Sequence, residues 1–301
     1  MQLGLGTAQF GSAYGITNRN GQISADDALH ILRTAEEAGV RILDTAAAYG
    51  DAEAVIGRTL WLGHSFRIIT KTRPISSPRL TKADVSGACD EFKRSLDRLG
   101  LPSVYGLLLH HGEELLRPGG EFLADMLQEL RRSGLVDRVG ISCYTPQELR
   151  AASRILPPDV VQIPVNVLDR RFVNDGILAE LKQRGTEIHA RSAFLQGLLL
   201  TPQDELPSAF ERHRPAFSKL DSYARAHDLS RLALALGFLA SLPEIDVSIV
   251  GVTCAPELKG IVAAWQGASG LKLTFDDLGY DDESLLVPSR WWEAVSQEHE
   301  E

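Results

Sequence analysis

Eight short apolar runs alternate with segments of helical periodicity along this chain, and this alternation constrains the fold more than any other feature. The runs are continuously apolar rather than alternating with polar residues, which indicates strands that are buried on both faces. Such strands, connected by helices, form either a closed (β/α)8 barrel or an open doubly wound sheet. The predicted strands cover residues 2–6, 40–44, 67–71, 104–110, 137–142, 160–165, 187–191 and 246–250.

Helix signals fill the intervals between the predicted strands. Ser24 with Asp27 resembles a capping box, and the apolar spacing after it predicts a helix that ends at Gly39. A second clear pattern contains Cys89, which we therefore predict to be a core residue, and it stops at Gly100. Further helices are predicted near 52–60, 122–134, 146–155, 176–184, 217–240 and 255–265.

The ends of the predicted strands are rich in polar residues, and this favours the barrel over the open sheet. The loops that follow barrel strands converge on one mouth, whereas an open sheet would spread them along an edge. We therefore predict a single-domain α/β fold, a (β/α)8 TIM barrel over residues 1–266, with residues 267–301 as a C-terminal extension packed on it. The strand-end residues are Asp44, Lys71, His110, Ser142, Gln162, Arg191 and Gly251.

Composition narrows the choice of partner and compartment. With 301 residues, of which 44% are apolar and 24% are charged, the chain is long enough for one large core. A net charge of −9 offers little to nucleic acids or anionic membranes, so we expect a small-molecule partner instead. Three scattered cysteines indicate a reducing compartment. Because the chain has no leader-like start and no long apolar run, we expect a cytoplasmic protein.

The segment RILDTAAAYG, at residues 41–50, delivers a carboxylate and a phenol to the loop after the second strand. Taken alone, Asp44 is more typical of a helix cap or a loop acceptor, and Tyr49 of packing. The pair gains meaning because the next two strands end in Lys71 and His110. A barrel would bring this cation and this imidazole to the same mouth.

The order of these motifs resembles the aldo-keto reductase family. The resemblance covers about residues 2–265 and rests on the whole set, since each motif alone has low specificity. It implies a catalytic tetrad of Asp44, Tyr49, Lys71 and His110, with His111 pointing to the other face of the strand end. The motifs are GLGTAQFG at the start, DTAAAYG at 44–50, ITKT at 69–72, LLLHH at 107–111, VGIS at 139–142, QIPVNVLDRR at 162–171, RSAFLQGLL at 191–199, SRLALALGFL at 230–239 and VSIVGVT at 247–253.

These residue types suit the reduction of a carbonyl compound by NADPH or NADH. A carbonyl oxygen that becomes an alkoxide needs a nearby proton donor, and Tyr49 carries one. A free phenol has a pKa near ~10, so we expect the ammonium of Lys71, held by Asp44, to favour the phenolate. His110 would donate a hydrogen bond to the carbonyl oxygen. The nicotinamide carries the hydride, which no side chain supplies.

The resemblance also implies where the cofactor binds. Gly6 and Thr7 are expected near the nicotinamide ribose, Ser142 and Gln162 at the carboxamide, and Arg191 against the ring. The remaining expected cofactor-binding residues are Asp44 and, for the backbone around the diphosphate, Leu195, Gly197, Leu198, Gly251, Val252 and Thr253.

Several positions depart from well-known members of the family. Arg191 stands where an aromatic residue often stacks on the nicotinamide, and Cys143 stands where asparagine is common. Glu257 occupies the position of a phosphate-binding arginine, and a carboxylate there would repel a 2′-phosphate and accept a ribose hydroxyl. Lys259 would offset this if the register differs by two residues. The choice between NADPH and NADH therefore stays open.

Two other functions are compatible with the sequence. A noncatalytic, cofactor-binding regulatory protein could use the same scaffold, although the intact tetrad argues against it. A metal-dependent barrel hydrolase or isomerase could use His110, His111, His189 and Asp44. Adjacent residues of a strand point to opposite sides, so the two neighbouring histidines are poor joint ligands and we expect no metal site.

The loops at the mouth suggest a substrate class. The Gly-rich first loop, residues 11–22, carries two asparagines and Arg19, and residues 46–48 are all alanine. This pattern favours an open mouth for a polar, polyhydroxylated, sugar-like carbonyl compound, with Arg19 or Arg191 available for a substrate anion. The alternative is ordinary turn chemistry, because Asn-Gly at 20–21 is a strong turn signal.

The C-terminal segment departs from the barrel pattern. Its acidic stretch, FDDLGYDDESLL, is predicted to be a solvated surface segment. Trp291 and Trp292 either wall the substrate pocket or anchor the C-terminus on the outer helices.

Overall fold

The computed structural model describes residues 1–268 and 273–291. Its strands are β1 (Gln2–Gly6), β2 (Ile42–Asp44), β3 (Arg67–Lys71), β4 (Val104–Leu109), β5 (Val136–Ser142), β6 (Val160–Pro164), β7 (Glu187–Arg191) and β8 (Val247–Gly251). These strands are parallel and close into a barrel in sequence order, with β1 hydrogen-bonded to both β2 and β8. The predicted single-domain (β/α)8 barrel is confirmed.

Helices cover the outside of the barrel. The longer ones are α1 (Ala25–Glu37), α2 (Ala52–Thr59), α3 (Lys82–Leu99), α4 (Glu121–Arg132), α5 (Pro146–Ile155), α6 (Ile177–Gln183), α7 (Arg214–Ala226), α8 (Arg231–Ala240) and α9 (Ala255–Ala268). Short α-helices lie at Ala8–Gly11, Arg171–Asp175 and Glu283–Leu286. Short 3-10 helices lie at Gly112–Leu116, Leu195–Leu200, Gln203–Glu205, Ser208–His213, Asp276–Leu278 and Pro288–Arg290.

Local capping explains where several helices begin and end. The Oγ atom of Ser24 accepts from the backbone N–H of Asp27 at 3.1 Å, which begins α1 as predicted. The helix predicted over 217–240 is instead two helices. Asp228 has a φ of 54° and ends the turn after α7, and Ser230 then caps α8. A left-handed residue cannot continue a right-handed helix, so the break is local.

The strands pack on both faces, as their apolar composition requires. Ile42 belongs to a small apolar cluster within the barrel, while its neighbour Leu43 belongs to a large cluster shared with the helices. This alternation is the expected consequence of the pleat. Cys89, predicted to lie in the core, is partly buried and packs against the edge of the large cluster.

Strand ends place the polar side chains at the barrel mouth. Asp44, Lys71, Ser142 and Arg191 are the last residues of β2, β3, β5 and β7. His110 comes one residue after β4, which is therefore one residue shorter than predicted. Gln162, predicted as a strand end, lies two residues before the end of β6. The register pairs the ends of neighbouring strands, so these side chains share one rim.

The described part of the C-terminal segment packs on the helices rather than on the mouth. Trp291 is buried, donates through Nε1 to the carbonyl oxygen of Leu285 at 3.0 Å, and lies 5.1 Å from the ring of Phe210. It does not line the cavity at the mouth, whereas Trp292 lies outside the described residues. Within residues 1–268 and 273–291, no helix is both long and apolar enough to cross a membrane.

Candidate active site

Asp44, Lys71 and Tyr49 meet at the barrel mouth because neighbouring strands β2 and β3 end in the first two. Lys71 Nζ donates to Asp44 Oδ1 at 2.7 Å and Oδ2 at 2.8 Å, and to the carbonyl oxygen of Thr45 at 3.0 Å. The same nitrogen lies 3.4 Å from Tyr49 Oη. The side chains of Lys71 and Asp44 are only 1% and 5% exposed, so the ion pair is shielded from water.

The phenol of Tyr49 keeps its proton. Burial raises the pKa of Tyr49, Asp44 raises it further, and Arg191 opposes both effects. The expected stabilisation of the phenolate by Lys71 concerns the state after proton transfer and stays a prediction. Lys71 is held by Asp44. Burial lowers the pKa of Lys71 below its usual value, and Asp44 opposes this effect without cancelling it. The neutral phenol is the form that a proton donor requires.

His110 lies beside this phenol as a neutral imidazole. Its ring centroid is 5.6 Å from that of Tyr49, with the two planes 82° apart. Burial lowers the pKa of His110 to about 3, and Lys71 acts in the same direction. Its Nδ1 atom is buried and has no hydrogen-bond partner among the described residues. A neutral imidazole can donate from one ring nitrogen, so His110 can offer an N–H to a ligand.

His111 does not line the cavity at the mouth, unlike His110. The ring centroids of the two histidines are 5.3 Å apart, with their planes 66° apart. The direction expected for the His111 side chain stays a prediction.

A cavity of about 1220 Å³ opens at this rim. Tyr49 and His110 line it, whereas Lys71 is buried behind them. Leu195 and Leu198 are fully buried in the apolar core and do not line it, although their neighbour Gln196 does. The expected cofactor-binding residues that line the cavity are Gly6, Thr7, Asp44, Ser142, Gln162, Arg191, Gly197, Gly251, Val252, Thr253 and Glu257.

Gln162 connects the expected carboxamide site to the tetrad. Its Nε2 atom donates to Asp44 Oδ1 at 2.7 Å, which leaves the carbonyl oxygen Oε1 as an acceptor. Ser142 is its partner in the register of β5 and β6. Thr7 Oγ1 donates to the carbonyl oxygen of Asp44 at 2.9 Å, so β1 also holds the end of β2. The rim is therefore rigidly connected through Asp44.

The first loop and the loop after β7 hold each other beside the cavity. Gln196 accepts from the backbone N–H of Ile16 through Oε1 at 3.1 Å, and its carbonyl oxygen accepts from Thr17 Oγ1 at 2.9 Å. Gln196 has a φ of 53°, a costly value for a residue with a side chain. A Cβ on Gly197 would lie 2.0 Å from Thr17 Oγ1, so only glycine fits there.

The first-loop residues expected at the mouth divide by environment. Asn18, Arg19 and Asn20 line the cavity, but Asn18 also donates through Nδ2 to the carbonyl oxygens of Tyr14 and Gly21. Asn18 therefore stabilises the turn of the first loop, which was the alternative interpretation of this asparagine. The alanines at 46–48 do not line the cavity, and Ala46 and Ala47 are buried, so they do not widen the mouth.

Glu257 lies at the cavity wall where α9 begins. Its Oε2 atom accepts from the backbone N–H of Thr253 at 2.7 Å, and its Oε1 atom accepts from Thr253 Oγ1 at 2.9 Å. The carboxylate thus occupies a backbone donor just before α9. Lys259 does not line the cavity.

Two further aromatic residues line this cavity, and the sequence-based search missed the second of them, Tyr144. Tyr14 lines it from the first loop. The ring of Tyr144 lies beneath the guanidinium of Arg191, with 4.2 Å between the ring centroid and Cζ. Tyr144 follows the end of β5 by two residues, and that position was a signal for a mouth residue.

The cavity fits a nicotinamide dinucleotide. Its volume exceeds the ~300–1,000 Å³ of common small-molecule sites. Ser142 and Gln162 provide hydrogen-bonding groups to the cavity. Nδ1 of His110, buried and without a hydrogen-bond partner in the described part of the chain, adds a polar position to the same cavity. Gly6 and Gly251 expose backbone without side chains at the ends of adjacent strands.

The residues proposed for a metal-dependent alternative do not converge. His189 is fully buried inside the barrel, with Nε2 2.8 Å from Glu187 Oε1. Asp44 is already bound by Lys71 and Gln162. Within the described ranges, no group of three or more His, Cys, Asp and Glu side chains is arranged to hold a metal ion.

Comparison with known proteins places this geometry in context. The model of the Aldo/keto reductase family matches residues 2–269. The aldo-keto reductase str7 of Strobilurus tenacellus is 29% identical over 236 residues, covering 75% of this chain and 67% of that protein. The 6-dehydroglucose reductase of Novosphingobium aromaticivorans is 26% identical over 287 residues, covering 90% and 88%.

A solved structure shares the same fold. The holo form of the aldo-keto reductase AKR11C1 from Bacillus halodurans superposes with a TM-score of 0.70 at 19% identity, covering 92% of this chain and 89% of that one. At this identity the similarity shows the fold alone.

Proposed function

This chain belongs to the aldo/keto reductase family of NAD(P)H-dependent carbonyl reductases, and we propose that Tyr49 is the proton donor of the reaction. The observation that carries the proposal is the position of Tyr49 Oη, 3.4 Å from Lys71 Nζ and beside a neutral His110 in a large cavity. Asp44 would hold Lys71, and His110 would orient the carbonyl oxygen by hydrogen bonding.

The same residues define the roles of the protein in the reaction. Tyr49, neutral at physiological pH, would release its phenolic proton to the carbonyl oxygen as charge develops there. The Lys71 ammonium, fixed by Asp44, would stabilise the phenolate left behind. When bound, the nicotinamide would supply the hydride. Gly6, Thr7, Ser142, Gln162 and the backbone at 251–253 would hold that cofactor and exclude water.

We expect the wild-type protein to bind NADH at least as tightly as NADPH. The Glu257 carboxylate lines the cavity and occupies the Thr253 N–H, so a dianionic 2′-phosphate would meet repulsion instead of a donor. Glu257→Arg should shift the ratio of dissociation constants towards NADPH by about tenfold or more. Calorimetric titration with both cofactors measures it.

Glu257→Gln is the control for the loss of the hydrogen bonds that Glu257 accepts from Thr253. It keeps an acceptor for Thr253 while removing the charge, so it should relax the preference for NADH without creating one for NADPH. A strong preference of the wild-type protein for NADPH would show that this carboxylate does not face the 2′ position and would turn attention to Lys259.

We propose a polar, sugar-like carbonyl compound as the substrate. Asn20, Tyr14 and Thr17 add polar groups to the cavity, and the relative from Novosphingobium is named for a dehydroglucose. In a panel at matched concentration, aldoses and keto-sugars should therefore give a higher kcat/KM than simple aromatic aldehydes.

Two results of this panel would contradict the proposed substrate or the proposed catalytic function. Higher kcat/KM for aromatic aldehydes would contradict the sugar-like assignment. Tight cofactor binding with no turnover of any compound would favour the noncatalytic, cofactor-binding alternative.

A further inference from the structure

Two charged side chains of the cavity, Arg191 and Glu257, form no ion pair among the described residues, and Arg191 is the cation of the two. Among the described residues, the charged groups that line the cavity are Arg19, Asp44, Arg191, Glu205 and Glu257. Asp44 binds Lys71, Arg19 lies 3.5 Å from Glu205, and Glu257 accepts two bonds from Thr253. Within the described chain, Arg191 forms no ion pair, since its polar contacts are with a hydroxyl and a carbonyl. The catalytic end of the cavity therefore carries an uncompensated positive charge.

The guanidinium of Arg191 is held in place by weak contacts. Its Nη1 atom is 3.3 Å from Ser192 Oγ and its Nη2 atom is 3.4 Å from the carbonyl oxygen of Cys143. Both distances are at the long end for hydrogen bonds. The planar face of the guanidinium stacks on the ring of Tyr144. This contact fixes the plane of the guanidinium and leaves the N–H groups along its edge available to a ligand.

The residue that follows Arg191 has a strained backbone conformation. Ser192 has a φ of 60°, in the left-handed region that residues with side chains avoid. Such strain persists only where the surrounding structure imposes it, and it is common at ligand sites.

Arg191 lies at the catalytic end of the cavity. It lines the cavity together with Tyr49 and His110. Its Nη2 atom is 3.4 Å from the carbonyl oxygen of Cys143, the residue that follows the end of β5. The guanidinium is therefore on the same rim as the proposed reacting groups.

We propose that Arg191 binds an anionic group of the substrate, so that the preferred substrate is a small carbonyl compound bearing a carboxylate. The inference rests on the proposed function and refines it. A guanidinium fork matches a carboxylate in a planar, bidentate arrangement, and an unpaired cation in a partly buried cavity favours such a ligand. Arg19 is the other arginine that the sequence offered for a substrate anion, and it already lies 3.5 Å from the carboxylate of Glu205.

Matched substrate pairs test this proposal. 4-Carboxybenzaldehyde and its methyl ester share the reacting aldehyde and differ in charge, and D-glucuronate with D-glucose repeats the comparison on sugars. The wild-type protein should favour the carboxylate in kcat/KM by about tenfold or more, mainly through KM. Glyceraldehyde 3-phosphate with glyceraldehyde shows whether a phosphate can replace the carboxylate.

Substitutions test whether Arg191 causes the preference for the carboxylate substrate. Arg191→Met should bring the acid-to-ester ratio close to one, and Arg191→Lys should retain part of it because the charge remains without the fork. Arg19→Met is the matched control from the same cavity, and its ratio should equal that of the wild-type protein. An equal rate for acid and ester in the wild-type protein, or an unchanged ratio in Arg191→Met, would overturn the proposal.

A binding measurement separates this proposal from the proposed function. 4-(Hydroxymethyl)benzoate and its methyl ester are titrated into the purified wild-type and Arg191→Met proteins, with and without NADH. Selective binding of the carboxylate that weakens about tenfold or more in Arg191→Met supports the anion site even if no carbonyl compound is reduced. Equal binding of acid and ester, equal affinity of the two proteins, or no binding to the wild-type protein would overturn it.

Discussion

Tyr49→Phe should lower kcat for carbonyl reduction by about 10²–10⁴-fold while changing the dissociation constant of the nicotinamide cofactor little. The substitution removes the phenolic hydroxyl and keeps the ring that packs against His110. Because Lys71 is held by Asp44 and Thr45 rather than by Tyr49 alone, the rest of the site should stay in place. Steady-state kinetics with a cofactor titration on the same preparation measure both effects.

Tyr14→Phe is the matched control for this prediction. Tyr14 is a second phenol in the same cavity, but Lys71 makes no described hydrogen bond to it. We expect its loss to alter turnover far less than the loss of Tyr49. If Tyr49→Phe retains near wild-type turnover and Tyr14→Phe does not, the proton donor is Tyr14 and the proposed roles are wrong.

Lys71→Met should abolish turnover and also destabilise the fold by about 3–5 kcal/mol. Asp44 would remain as a buried carboxylate whose remaining side-chain partner among the described residues is Gln162. An uncompensated charge at such a position costs far more than the loss of an exposed pair, because the low dielectric of the interior cannot solvate it. Denaturant unfolding of the purified variant measures the free energy.

Two further variants separate charge burial from lost packing. The double substitution Asp44→Asn with Lys71→Met should recover part of the stability without recovering activity, since it removes the unpaired charge. Lys182→Met breaks the Lys182–Asp246 pair, whose side chains are about one-third exposed, and should cost less than about 1 kcal/mol. A stability of Lys71→Met equal to that of the wild-type protein would mean that Asp44 finds another cation.

The elements of the barrel were predictable because their signals are local. The predicted bounds of β1, β3, β7 and α5 agree with the structure, since apolar runs and capping residues decide them within a few residues of chain. The single helix predicted over 217–240 was wrong because Asp228 reverses the backbone at one position that the apolar spacing conceals.

The residues around Tyr49 could be proposed from sequence for a different reason. Closure of the barrel brings every strand end to one rim, so Asp44, Lys71 and His110 had to be neighbours once the fold was known. The protonation state of Tyr49 could not be predicted from the sequence in the same way. It depends on burial and on the charge of Asp44, which only the folded environment determines.

By itself, the sequence determined the order of strands and helices and the residues that end the strands, because periodicity, caps and polar strand ends are properties of short segments. Folding alone establishes that Arg19 lies near a carboxylate while Arg191 forms no ion pair within the described chain. It also brings the carbonyl oxygen of Gln196 to Thr17, which is 179 residues away in the sequence. It also decided that Trp291 packs on Phe210 instead of walling the cavity. These contacts join segments far apart in the chain, and their positions follow from the closed barrel, so no local pattern encodes them.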